Sequence, residues 1–73
     1  MTETEIRDRA KTLAKAESFD VVTDLTPRKM RNRLVNIEDA DGSMMFFSCE
    51  AIPHGVRITC ASKYRLGITL ANP

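Results

Sequence analysis

The chain has no tryptophan, one tyrosine, three phenylalanines and one histidine in its 73 residues. So thin an aromatic set leaves little for a platform on which the bases of a single strand would stack. The lone histidine, His54, sits in a Pro-His-Gly sequence that reads as a turn. Neither a nucleophile elbow nor a papain-like Cys and His signature is present. The three glycines, Gly42, Gly55 and Gly67, are isolated, so no glycine-rich loop can cradle a phosphate. Nor is there an excess of one charge: 11 Lys and Arg face 10 Asp and Glu, a net charge of +1. A protein that coats nucleic acid through bulk charge carries a clear basic surplus.

Long hydrophobic runs are missing too. No stretch approaches the ~20 apolar residues that span a bilayer. The opening MTETEIRDRAKTLAKAESFD is charged throughout and lacks the apolar centre of a signal peptide. A cytoplasmic protein is therefore expected, with Cys49 and Cys60 as reduced thiols; a cross-strand disulfide would enter only for a secreted chain. Cys49, His54 and Cys60 lie within 12 residues. Structural zinc, however, takes four ligands, usually in close pairs such as C-x₂-C, and none occurs here. Glu38, Asp39 and Asp41 gather at one turn without the calcium-loop spacing. No metal and no other cofactor is expected.

What is present is ordinary for a folded domain: 42% hydrophobic and 29% charged residues. Residues 1–73 read as a single small globular domain. A chain of this length buries only about 60% of its unfolded surface, which leaves little room for an enclosed active site. The expectation is a binding protein and not an enzyme.

Thr2-Glu3-Thr4-Glu5 has the form of a capping box, with Thr2 as cap and Glu5 bonding back. Behind it Ile6, Ala10, Leu13 and Ala14 fall at i, i+4, i+7 and i+8, one apolar stripe of a helix. Arg7, Asp8, Lys11 and Lys15 are assigned mostly to solvent. Phe19 to Leu25 reads as a strand. Thr26-Pro27 then punctuates the chain. It either opens a short helix through Met30 and Leu34 or forms a broad turn into the next strand.

From Leu34 onward the pattern is β. RLVNIED, the turn Ala40 to Ser43 and MMFFSCEAI make a hairpin around Asp41-Gly42. A second hairpin turns at Pro53-His54-Gly55 into VRITCAS. The segment YRLGITLA alternates with period two and reads as the last strand. With His54-Gly55 as a two-residue loop, Pro53 would pair with Val56, Ala51 with Ile58 and Cys49 with Cys60. Met45, Phe47, Cys49, Ala51, Val56, Ile58 and Cys60 then share an apolar face. Ser48, Glu50, Arg57 and Thr59 lie opposite, with Glu50 diagonal to Arg57; Phe46 and Ile52 break the pattern. The expected fold is α+β: an N-terminal helix packed on a four- to five-stranded antiparallel sheet.

TPRKMRNR, residues 26–33, places four cations in six positions with no acid among them. Arg28, Lys29, Arg31 and Arg33 are the candidate partner-binding residues, with Lys63 and Arg65 as supporting charges. Two functional readings follow. In the first, the chain is a non-catalytic regulator or inhibitor that docks on an acidic face of a larger protein, steered by charge and held by arginine anchors. Exposed Phe46 or Ile52, or an uncovered edge strand, would add to that surface. The expected setting is transcription or other nucleic-acid machinery, by analogy of size with phage-encoded regulators of host enzymes. In the second, the same cations position phosphates and the protein binds nucleic acid directly. The plainer account is a solvated turn.

Overall fold

The computed structural model describes residues 1–65. Helix α1 spans Glu3–Ala10, strand β1 Ser18–Val22 and helix α2 Pro27–Asn32. Strands β2 (Ile37–Glu38), β3 (Met44–Ile52) and β4 (Gly55–Tyr64) follow. The strands form an antiparallel sheet in the order β1-β4-β3-β2. This is an α+β domain with a short N-terminal helix and four strands.

The capping box forms as the sequence implies. Thr2 Oγ1 accepts from the Glu5 N–H at 3.2 Å, and Glu5 Oε1 accepts from the Thr2 N–H at 3.0 Å. The helix is shorter than its stripe, however. It ends at Ala10, and the Thr12 and Leu13 N–H groups bond to the carbonyls of Arg9 and Ala10 in a tighter turn. Leu13 still reaches the core, but Ala14 is exposed. Arg7 is also not a solvent residue. Its guanidinium donates to the carbonyls of Arg33 at 2.8 Å and Val35 at 3.1 Å, tying α1 to the chain that leaves α2.

One sheet face and the two helices enclose the core. Ile6, Ala10 and Leu13 meet Met30 and Leu34, and Phe19, Val21, Met45, Phe47, Val56, Ile58 and Cys60 complete it from the sheet. Fully burying residues of this kind stabilises by about 1.5–3 kcal/mol each. On the opposite face Arg57 bridges the strands. It donates twice to Asp20, at 2.8 and 3.2 Å, and lies 3.7 Å from Glu50.

The second hairpin keeps the expected faces but not the expected pairs. Its loop is Pro53-His54, and Ile52 faces Gly55. Ala51 pairs with Val56, Cys49 with Ile58 and Phe47 with Cys60, so the two cysteines are not cross-strand neighbours; both are free. Glu50 stands directly opposite Arg57 and not diagonal to it. His54 holds the left-handed φ of 65° that the second turn position requires after a proline. Gly55 is needed for another reason: a Cβ there would run into the Val21 carbonyl of β1. Because partners slid by two residues, each side chain stayed on its face.

At the first hairpin, Asp39 and Ser43 close a three-residue loop. Gly42 takes φ 81° and its N–H bonds to the Asp39 carbonyl at 3.0 Å. Asp39 Oδ1 also accepts from the N–H groups of Asp41 and Ser43. The strand expected from Leu34 shrinks to Ile37–Glu38, since Asn36 sits at φ 57°. Tyr64 ends β4 and does not begin a new strand. The remainder of the expected last strand, from Leu66, lies outside the described residues.

Candidate functional site

Thr26-Pro27 opens a helix and not a turn. Thr26 Oγ1 accepts from the Lys29 N–H at 3.2 Å, and Pro27 occupies the first helical position. The helix is anchored by Met30, which is 1% exposed. With Met30 turned inward, Arg28, Lys29 and Arg31 project to solvent. Among the described residues these three cations have no ion-pair partner.

The other candidates are engaged or apart. Arg33 lies 3.6 Å from Glu3, and its carbonyl takes the Arg7 guanidinium. Lys63 is held by Asp39 Oδ2 at 3.2 Å, in a pair where the Asp39 side chain is only 9% exposed. The Asp39 carboxyl is held below its ordinary pKa, first by the Ser43 N–H and, against some burial, by Lys63 and the Asp41 N–H. Arg65 is exposed just past the end of β4. The six-residue cluster read from the sequence thus resolves into a set of three on α2, two structural cations and one at the far end of the longest strand.

The α2 cations border an open depression against β3. Pro27, Arg28 and Arg31 line one side, and Phe47, Ser48 and Cys49 the other. A second depression shares Arg31 and Phe47 with it and is lined further by Val35, Met44 and Phe46. Burial pushes the Cys49 thiol above its ordinary pKa, opposed by the nearby charge of Arg31. Cys60 is pushed up by burial as well. Raised values make both thiols poor nucleophiles at neutral pH. Among the described residues, no group of three metal-ligating side chains gathers, and no helix is long and apolar enough to cross a membrane.

Phe46 is half exposed on the outer sheet face, 5.6 Å from the exposed Tyr64 ring in an edge-to-face pair. Arg7 is the residue that sequence reasoning missed at this site, because its partners are backbone carbonyls of a loop distant in sequence. No protein-family model, no curated protein and no solved structure matches this chain.

Proposed function

We propose that this chain is a non-catalytic regulatory protein that docks on an acidic surface of a larger protein through Arg28, Lys29 and Arg31. The observation that carries the reading is that, among the described residues, these three cations stand together without ion-pair partners on a capped, core-anchored helix beside a partly apolar groove. Arginine anchors next to apolar side chains are what a small protein interface uses for its energetic centre. Arg28 and Arg31 are the anchors, and Lys29 contributes to steering. Occlusion or displacement at the docked surface is the regulatory mechanism. Transcription or other nucleic-acid machinery in the cytoplasm is the setting we assign.

Direct nucleic-acid binding is the second reading, and the exposed Phe46–Tyr64 pair is what favours it. Against it, Arg33 and Lys63 already have acidic partners, which reduces the charge available for phosphates. Affinity capture from lysate with tagged protein, with and without nuclease, separates the two. The docking reading expects a protein, identified by mass spectrometry, that survives nuclease and is lost with the R28E/R31E double variant. Recovery that disappears with nuclease would transfer the function to nucleic acid.

A further inference from the structure

The backbone hydrogen bonds of the sheet fix which groups of β3 are free. The Cys60 N–H donates to the Glu17 carbonyl at 2.9 Å, and the Cys60 and His54 carbonyls accept from Ala16 and Thr23. The loop residue His54 and the even-numbered residues of β4 up to Cys60 therefore direct their polar groups toward β1. Alternation in an antiparallel ladder turns Gly55, Arg57 and Thr59 toward β3, where they meet Ile52, Glu50 and Ser48. Phe47, Cys49 and Ala51 must then point their N–H and C=O groups the other way. The Asp39 N–H, bonded to Ser43 O at 3.0 Å, marks the same phase on that side.

That side is where β2 runs, and β2 covers only Met44 and Met45. Beyond them, among the described residues, no strand takes the N–H and C=O groups of Phe47, Cys49 and Ala51. The open edge and the α2 cations border the same depression. Glu50, the one acid of β3, is occupied with Arg57 on the outer face.

We infer that the groove between α2 and β3 accepts an extended acidic segment of the partner protein, which adds to the sheet as a strand beside β3. Main-chain bonds to Phe47, Cys49 and Ala51 hold the segment, and its carboxylates meet Arg28 and Arg31. This rests on the docking reading above and names the form of the ligand. Charge selects the occupant. A second copy pairing through the same edge would bring its own Arg28 and Arg31 alongside these, like charge against like. Residues 66–73, LGITLANP, contain no Asp or Glu to complement the arginines.

The test is an amide-resolved NMR titration of the full chain with an alternating Glu-Thr decapeptide, and with a Lys-Thr decapeptide as control. The expected result is slowed hydrogen exchange, by about tenfold or more at saturation, at the amides of Phe47, Cys49 and Ala51. Ser48 and Glu50, already in the ladder, should change little. A C49P variant removes one edge N–H without touching the β3–β4 ladder, and is expected to lose the peptide, whereas C49V retains it. Shifts at Arg28 and Arg31 without protection of the three amides would overturn strand addition and leave the docking reading standing. No binding of the acidic peptide at millimolar concentration, or equal binding of the basic one, would overturn both. Protection that rises with protein concentration alone would assign the edge to a second copy and reject the proposal.

Discussion

Asp39 is the side chain on which most local order converges. It closes the first hairpin loop through two backbone N–H groups and takes Lys63 on its other oxygen. Asp20 is likewise held below its ordinary pKa, chiefly by its hydrogen bonds from Arg57, and Glu5 by the Thr2 cap. A carboxylate whose folded pKa lies below its unfolded one stabilises the fold above the unfolded value, roughly 4 for these groups. That contribution is lost as pH falls through the folded value. Stability measured by denaturant midpoint is expected to be level near neutrality and to drop below about pH 4. D39N should make that acid drop shallower, because one of the three linked groups no longer titrates. Two backbone positions carry further predictions. Ala16 sits at φ 73°, where only glycine is at ease, so A16G should stabilise by about 0.5–1 kcal/mol. G55A should destabilise by about 1–3 kcal/mol or more, since its methyl meets the Val21 carbonyl.

At the scale of elements, the sequence is most readable where local rules act alone. The Thr2 capping box, the turn at Gly42 and the alternation of β3 and β4 all appear in the structure. The second hairpin shows the limit. Alternation assigns faces but cannot tell two registers apart when they differ by two residues. Gly55 looked like a turn residue, yet its role is to admit the backbone of β1, an element more than 30 residues away in sequence. Thr26-Pro27 left helix and turn open because both use the same residues. Burial of Met30 against the sheet is the tertiary fact that favours the helix. Loss of the Thr26 cap is worth about 1 kcal/mol of helix stability. T26A is therefore expected to weaken partner binding by up to about fivefold and to lower the thermal midpoint by about 4–8 °C. Equal affinity for T26A and the natural chain would mean that α2 need not be formed in the complex.

For the whole molecule, the candidate site was legible as a composition but not as a surface. Four cations in six positions marked residues 28–33. Nothing local showed that Arg33 would meet Glu3 or that Lys63 would meet Asp39, because both pairs depend on how distant elements are brought together. The fold sorts the charges. It holds Arg57 between Asp20 and Glu50 on one sheet face and, among the described residues, leaves Arg28, Lys29 and Arg31 without ion-pair partners on α2, with Arg28 and Arg31 beside the open edge of β3. The docking claim therefore predicts unequal effects within the original cluster. The most direct measurement is calorimetric titration of the captured partner protein with the natural chain, the R28E/R31E variant and the K63Q variant, all confirmed as folded. R28E/R31E is expected to lose at least about tenfold in affinity, while K63Q binds as the natural chain does. Equal affinity for all three, or a loss confined to K63Q, would contradict the assignment of the interface to α2.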